Sequence, residues 1–394
     1  MLEVWLQNTK VGTLALTPDN LCAFEYDADY LRVGQSISPF YLPLQTGVFV
    51  AKAQPFGGNF GVFSDSLPDG WGNLLLDRFL TEKGINPHTL SVLQRLSLIG
   101  NSGRGALEYR PAENENREHS ATDLHKLADD AERILSADTS TSLSTSTSTS
   151  LSTSTSTSLS TSDAADSVGL LYQYAGSSGG ARPKVFVKME DGEWLVKFRA
   201  SADPKNVGEI EYQYSLLAKK CGIEMPETQL FEGKYFGVKR FDRTSASLND
   251  RISASLNDRT EKIHTISATG LLNADYRIPS LDYSVLLTAC FKLTRNIEEV
   301  YKLFRQMVFN VLIKNRDDHA KNFSFVLQNN EWRLSPAYDL LPSAGFNGFH
   351  TTTVNGQGNP THKDIFTVAE SVGLDKGSAV EIFEYVREII KTNL

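Results

Sequence analysis

A cluster of charged and amide side chains directly after a strongly apolar run limits most strongly how this chain can fold. The run is MVFNVLI (307–313), and the cluster is NRDDHAKNFSF, from Asn315 to Phe325. Such a run predicts a buried segment, so the cluster lies where the chain leaves its core. These groups form either a solvated turn or a site for a charged ligand.

Length, charge and cysteine count limit the kinds of protein that this chain can be. The 394 residues suffice for about two or three domains. A net charge of −8 speaks against a wide phosphate-binding face, so any contact with nucleic acid is expected through a partner. Three distant cysteines (Cys22, Cys221 and Cys290) predict neither a disulfide framework nor a zinc site. Without a signal-peptide pattern or a membrane-spanning run, a cytoplasmic location and no membrane association are expected.

The first half of the chain divides at shifts in composition. Residues 1–111 predict a small α+β subdomain, with a hairpin in MLEVWLQNTKVGTLAL, a helix in SLPDGWGNLLLDRFL, and loop and strand in LSLIGNSGRGALEYRP. Residues 112–165 predict a helical linker. Within the linker, 139–162 contains only Ser, Thr and Leu, which favours a disordered tether over a regulatory phosphorylation tract.

The second half contains a further irregularity. TSASLNDR (244–251) is followed by the near copy ISASLNDR (252–259), which indicates a duplicated surface insertion, because two short copies cannot build a repeat core. The insertion separates a segment at 166–243 from a segment at 260–394, whose pattern is mostly helical from about residue 280.

The charged cluster has the spacing of a phosphoryl-transfer loop. Arg316-Asp317 is followed five positions later by Asn322, as in the catalytic loop of protein kinases. There the carboxylate orients and deprotonates the attacking hydroxyl, and the amide oxygen helps to hold magnesium. By itself the D-x-x-x-x-N pattern occurs often by chance.

The residues after the cluster continue the same layout. NFSFVLQNNEWRLS predicts a hairpin, which leads to Asp339 in PAYDLLPS. An acid in this place corresponds to the magnesium-binding Asp of kinases, and Mg²⁺ prefers oxygen ligands. The alternative is a turn Asp that caps backbone N–H groups. The preceding Asp–Asn pair favours the metal role.

The phosphate-binding half is predicted upstream, in YQYAGSSGGARPKVFVKMEDGEWLVKFRA. Gly176, Gly179 and Gly180 would let backbone N–H groups approach a phosphate. Lys197 lies on the second strand of a predicted hairpin, where the alternative is an edge lysine in water. Glu211, on the next predicted helix, is placed to pair with Lys197. The strand YFGVKRFDR then leads into a linker that could bind adenine.

This order of elements resembles the HipA family of serine/threonine-protein kinase toxins from bacterial toxin–antitoxin modules. The likeness rests on DDHAKNFSF, SPAYDLLPS, SSGGARPK, VKRFDR and HTISATGLLNADYR, and on SLPDGWGNLLLDRFL and GRGALEYRP nearer the N-terminus. It covers nearly the whole chain except the two inserts. The resemblance implies an α+β, kinase-like two-lobe fold, with a small β-rich N-terminal subdomain, a mixed ATP-binding lobe and a mostly helical C-terminal lobe.

The resemblance also implies ATP- and Mg²⁺-dependent transfer of phosphate to a protein Ser or Thr. The implied site residues are Asp317 as the catalytic base, Asn322 and Asp339 as magnesium ligands, Lys197, Glu211, Lys239, Phe241, Gly179 and Gly180 as ATP-binding residues, and Ser177 or Ser178 as the autophosphorylated serine of a loop that then swings out. The D-F-G and A-P-E signatures of ordinary protein kinases are absent, and the family does not predict either insert.

The roles of two further residues of the cluster are left open by the sequence. A structural role is favoured for His319, since no second His lies at metal-ligand spacing. Lys321 is either a phosphate contact or a solvated loop charge.

The family implies a small DNA-binding antitoxin as partner, operator DNA contacted mainly through that antitoxin, and a translation-related substrate such as an aminoacyl-tRNA synthetase. Two alternatives come from other classes. One is a catalytically weak, kinase-like module that binds an antitoxin. The other is a carboxylate-based, metal-dependent hydrolase, which would leave the strand lysine and the glycine loop without a purpose.

Overall fold

A computed structural model describes residues 1–113, 123–143, 161–175, 179–244, 261–345 and 347–394, with backbone only for 137–143 and 161–166. Four predictions fall outside these ranges. They are Gly176 of the glycine loop, the modified serine at Ser177 or Ser178, the octad insertion beyond Thr244, and the disordered tether over 144–160.

An antiparallel sheet forms the N-terminal unit. Its strands are β1 (Leu2–Leu6), β2 (Thr9–Leu16), β3 (Cys22–Tyr26), β4 (Val48–Val50) and β5 (Leu107–Arg110), in the order β4-β3-β2-β1-β5. Its helices are α1 (Tyr30–Val33), α2 (Gly61–Ser64), α3 (Gly70–Glu82) and α4 (Val92–Ile99). The predicted hairpin of β1 and β2 forms, with Leu2 opposite Leu14 and both side chains buried.

Residues 96–99, which begin the stretch LSLIGNSGRGALEYRP that was expected as loop and strand, are instead the end of α4. Ser91 and Gln94 form a reciprocal capping box at the start of this helix. Leu96 and Ile99 are buried, three residues apart on one face. A cap and a helical apolar spacing therefore act together here.

The second unit contains a four-stranded sheet and three helices. They are α5 (Leu124–Leu143), α6 (Thr161–Ala175), β6 (Lys184–Met189), β7 (Gly192–Lys197), α7 (Val207–Lys220), β8 (Thr228–Phe231) and β9 (Tyr235–Lys239), with strand order β6-β7-β9-β8. Helices α5 and α6 enter the Ser/Thr/Leu tract at its two ends, 139–143 and 161–162. An established helix gains one hydrogen bond for each residue added, so it can continue into a sequence that would not start one.

The third unit is mostly helical but includes short strands. Its elements are β10 (Arg243–Thr244), β11 (Glu261–Lys262), β12 (His264–Ser267), α8 (Ala268–Leu272), β13 (Leu281–Asp282), α9 (Tyr283–Thr294), α10 (Ile297–Ile313), β14 (Ser324–Gln328), β15 (Glu331–Leu334), β16 (Thr352–Thr353), α11 (His362–Ser371) and α12 (Lys376–Asn393). The predicted hairpin of β14 and β15 turns at Asn329 and Asn330, which both have positive φ, as a tight hairpin turn requires.

Packing joins the N-terminal unit to both other units. Its sheet shares one apolar core with the helical unit, where Phe24 and Phe63 belong to the same cluster as Phe304 and Phe309. Helix α3 instead joins the core of the four-stranded sheet, through residues that include Trp71. No helix within the described ranges is long and apolar enough to cross a bilayer.

Candidate active site

A cleft of about 540 Å³ lies between the sheet of the second unit and the loop after α10. This volume is in the range of small-molecule sites. Its lining includes every predicted site residue that falls within the described ranges, namely Gly179, Gly180, Lys197, Glu211, Lys239, Phe241, Asp317, Asn322 and Asp339.

Two buried amides hold the loop that follows α10. The helix ends at Ile313, and the C-cap residue Lys314 has a left-handed backbone conformation. Asn315 then donates to the Oδ1 of Asn310 and to the main-chain carbonyl of Asp339, both at 3.0 Å. The polar Asn310 inside the apolar run therefore stabilises the loop, because it bonds Asn315, which in turn bonds the main chain of Asp339.

Asp318 anchors the same loop from below. It is buried, and its carboxylate accepts the backbone N–H groups of Thr351 at 2.9 Å and Thr352 at 3.2 Å. It also accepts the hydroxyl of Tyr283 at 2.9 Å and shares a hydrogen bond with the ring of His350 at 2.9 Å. Four contacts on one buried carboxylate hold the preceding residue at the mouth of the cleft.

Asp317 is exposed at that mouth. The cleft walls displace part of the water around its carboxyl and raise its pKa; His319 opposes this change, and the negative charge of Asp339 adds to it. The amide of Asn322 donates to the carbonyl of Asp317 at 2.7 Å. That bond uses the N–H side of the amide, so its oxygen can still serve as a ligand.

Lys197 is bonded to both Glu211 and Asp339. Burial alone lowers the pKa of Lys197, but the two carboxylates outweigh it and raise the pKa above the ordinary value for lysine. Burial also opposes the ionisation of Asp339, but the charge of Lys197 holds the pKa of this carboxyl well below its usual range. The lysine is therefore a cation, and Asp339 is ionised beside it.

The glycine loop reaches the cleft from the start of β6. Gly180 has a φ of 87°, in the region that favours glycine. Lys184 is buried and its ammonium donates to the carbonyl of Gly179. Burial, followed by the nearby charge of Lys197, lowers the pKa of Lys184 despite the opposing effect of Asp339. Lys184 is in the quoted GGARPK segment, but nothing in the sequence distinguished it from a surface lysine.

The linker residues occupy the far end of the cleft. The ring of Phe241 stacks on that of Tyr338, with centroids 5.9 Å apart and planes at 22°. Lys239 pairs with Asp191 at 3.0 Å and Glu227 at 3.1 Å. The aromatic pair thus offers an apolar surface to a flat ligand, whereas the ammonium of Lys239 is held in ion pairs at the edge.

Arg104, from the N-terminal unit, also lines the cleft, and sequence reasoning did not find it. It donates to the hydroxyls of Ser324 at 2.7 Å and Tyr338 at 2.8 Å. The segment GRGALEYRP is one of those that resemble the family, but the resemblance assigned no role to Arg104 within it. Only the packing of the N-terminal unit against the cleft brings Arg104 there.

The residues present fit a magnesium ion. Asp339 offers a carboxylate, and Asn322 offers an amide oxygen, both hard ligands of the kind Mg²⁺ prefers. Among the described residues, no three His, Cys, Asp or Glu side chains form a closed metal cage. A site with few protein ligands suits an ion that keeps water and phosphate oxygens in its shell.

Comparisons with known proteins match this architecture. The family model of the HipA-like C-terminal domain matches residues 176–394, and that of the HipA N-terminal domain matches residues 2–110. Y4dM of Sinorhizobium fredii, named as a candidate kinase, is 23% identical over 384 residues, which cover 90% of this chain and 80% of that protein. Y4mE of the same organism, named likewise, is 34% identical over 62 residues, 14% of this chain and 15% of that protein.

A solved structure matches over the whole length. The chain resembles one from the Shewanella oneidensis MR-1 complex of the toxin–antitoxin system HipA, HipB and operator DNA, with a TM-score of 0.67 and 17% identity. The match covers 100% of this chain and 90% of that one. The predicted α+β, kinase-like two-lobe fold is confirmed.

Proposed function

The chain belongs to the HipA family, and from the geometry of its cleft we propose that it is a serine/threonine-protein kinase. The observation that carries the proposal is the position of Lys197. Its ammonium bonds both Glu211 and Asp339 in the same cleft that Asp317 and Asn322 line. A strand lysine paired with a helix glutamate, beside an Asp–Asn loop and a second Asp, is the arrangement that protein kinases use for phosphoryl transfer from ATP.

Each side chain has a role in this proposal. The Asp317 carboxylate accepts the proton of the substrate hydroxyl as the hydroxyl oxygen attacks the γ-phosphorus of ATP, and ADP leaves. Asn322 and Asp339 hold Mg²⁺, which when bound offsets the negative charge of the phosphate oxygens. Lys197 contacts the phosphates, and Glu211 keeps its ammonium in place.

The remaining predicted residues bind the rest of ATP. Gly179 and Gly180 bring the backbone of their loop close to the phosphates. Phe241 packs against the adenine, with Lys239 at the edge of the same pocket. Ser177 or Ser178, immediately before these glycines, is proposed as the site of autophosphorylation.

A toxin–antitoxin role is proposed from family membership. The Shewanella protein of the same fold is described in a complex with HipB and operator DNA. We propose a HipB-like, small DNA-binding antitoxin as partner here, with operator DNA contacted mainly through that partner, in keeping with the net charge of −8. The proposed substrate is a translation-related protein, such as an aminoacyl-tRNA synthetase.

The test is labelling of purified, phosphate-free protein with γ-³²P-ATP and Mg²⁺. Wild type and an Asp19→Ala control, changed at an exposed turn residue, should incorporate label at Ser177 or Ser178. Asp317→Ala should incorporate none while it keeps its fold and its binding of a fluorescent ADP. Absence of label from phosphate-free wild type would contradict the kinase proposal and favour the antitoxin-binding module.

A further inference from the structure

The start of α3, in the N-terminal unit, is bonded directly to the glycine loop. The backbone N–H of Trp71 donates to the carbonyl of Gly180 at 3.0 Å, and its indole N–H donates to the carbonyl of Lys184 at 3.1 Å. The carboxylate of Asp69 accepts the N–H of Gly180. Both polar groups of Gly180 are therefore held by one short segment from outside the ATP-binding unit.

Gly70 makes this close approach possible. Its φ is 37°, and a Cβ at this position would lie 2.5 Å from the carbonyl oxygen of Gly180. No L side chain fits there without movement of the loop. The PDGW sequence is thus shaped to its contact with the glycine loop.

The same carboxylate reaches the loop that carries the proposed base. Its second oxygen accepts the ammonium of Lys321 at 2.6 Å, and the two side chains are 11% and 13% exposed. The ammonium also lies 4.5 Å from the ring centre of Tyr276. Lys321 is therefore not a solvated charge, and its ammonium is neutralised by Asp69.

Asp69 remains ionised in this setting. Burial opposes ionisation, but the charge of Lys321 and its hydrogen bond, together with the N–H of Gly180, hold the pKa of Asp69 below its ordinary value. A carboxylate that is bonded to both the glycine loop and the loop of Asp317 fixes the distance between the two loops.

We infer that Asp69 is a positioning residue for phosphoryl transfer, which holds the glycine loop and the Asp317 loop together across the cleft. The inference rests on the proposed kinase function. Asp69 acts through Gly180 and Lys321 and needs no contact with ATP. The N-terminal unit is then part of the active site's framework, and small displacements of that framework cost rate steeply.

The test compares four variants with wild type: Asp69→Ala, Asp69→Asn, Lys321→Met and the control Asp19→Ala. The readouts are the maximal rate constant of autophosphorylation, the ATP concentration that gives half of it, binding of fluorescent ADP, and hydrogen exchange of residues 179–184. We expect Asp69→Ala to lower the maximal rate constant on the order of 10²-fold and to speed hydrogen exchange in the glycine loop. Asp69→Asn keeps an acceptor for Gly180, so it should fall between Asp69→Ala and wild type.

A matched pair of changes separates positioning from general stability. A fifth protein combines Asp69→Ala with Lys321→Met. Because Asp69 and Lys321 act as one unit, this double variant should lose little more activity than either single variant, and Asp19→Ala should behave as wild type. If Asp69→Ala does not fold, Asp69→Asn and Lys321→Met provide the comparison.

Three results would overturn the inference. They are an unchanged rate constant of autophosphorylation in the Asp69 variants, additive losses in the double variant, and tighter nucleotide binding by Asp69→Ala, which would mean that the carboxylate occupies a phosphate site. Wild type that neither binds ADP nor becomes labelled would instead refute the proposed function. Hydrogen exchange would still show in that case whether Asp69 holds the glycine loop.

Discussion

The pKa values of two aspartates in the cleft are shifted in opposite directions because their neighbours differ. Asp339 lies against Lys197, and its pKa is held well below the usual range. Asp317 has lost water to the cleft walls and lies near other carboxylates, and its pKa is raised. Environments that push the pKa values of two acids apart in this way are typical of acids with different roles, here the proposed metal ligand and the proposed base.

The raised pKa of Asp317 predicts the pH dependence of activity. The proposed base would work as a carboxylate, which is present above the raised pKa and is lost as the pH falls through it. The acid limb of the autophosphorylation rate should therefore lie above 3.8, the ordinary value for aspartate. Rates across acid and neutral pH, with circular dichroism as a check on folding, measure it. A limb at or below the ordinary value contradicts the raised pKa.

The site residues show which functional positions can be predicted from sequence spacing and which cannot. Asp317, Asn322 and Asp339 were found because their types and order match a known reaction, and all three line the cleft. Asp318 was passed over, since a buried anchoring acid and a solvated acid look alike in sequence. Its backbone partners lie more than thirty positions away, at Thr351 and Thr352.

At the scale of elements, β12 shows how a short strand can join units. It pairs with β14 and completes the sheet β12-β14-β15. The buried ring of His264 hydrogen-bonds the carbonyl of Ile37 in the N-terminal unit at 2.8 Å. It also packs edge-on against Trp332 of β15, with centroids 5.5 Å apart. HTISATG carried family likeness, but its four strand residues are too few for a clear period.

His264 predicts a loss of stability in mild acid. Burial lowers its pKa from 6.5 to about 4, so the folded state binds fewer protons than the unfolded state between these values. Stability is therefore complete above the higher value and falls as the pH drops toward the lower one. His264→Gln, which can still donate to Ile37, should abolish a loss of about 2 kcal/mol at pH ~5. Urea unfolding in neutral and mildly acid buffer measures this; equal acid losses in both proteins contradict it.

At the scale of the whole molecule, Asp242 ties the linker to the N-terminal unit. Its carboxylate accepts the N–H of Gly105 at 2.7 Å and pairs with Arg240 at 2.8 Å and Arg243 at 3.1 Å. All three charged side chains are buried. Burial opposes the ionised form of Asp242, yet the two arginines hold its pKa far below the usual range.

Removal of this carboxylate should weaken the whole assembly. Asp242→Ala leaves two buried guanidinium groups without their shared partner, at a cost of about 3–5 kcal/mol in unfolding free energy. The contribution is present above the ordinary aspartate pKa and is lost as the pH falls toward the lowered one. Urea unfolding at neutral pH measures it. The control Asp29→Ala breaks an exposed pair with Arg32 and should change little; a similar small change for Asp242→Ala contradicts the prediction.

Local spacing and periodicity were enough to predict the candidate site residues of the cleft and the elements with a strong local signal. Helix α10 follows from its apolar period, the β14–β15 hairpin from its paired asparagines, and Asp317 with Asn322 from spacing. These properties depend on residues close together in the chain.

How the three units meet is visible only in the folded molecule. Arg104 of the N-terminal unit lines the cleft, and Asp69 of the same unit bonds Lys321, another lining residue, 252 positions away. Such contacts depend on how the cores pack, and no local pattern in the chain carries that information. The physical reason is that a buried ion pair or hydrogen bond is specified by burial and distance, which exist only once the chain has folded.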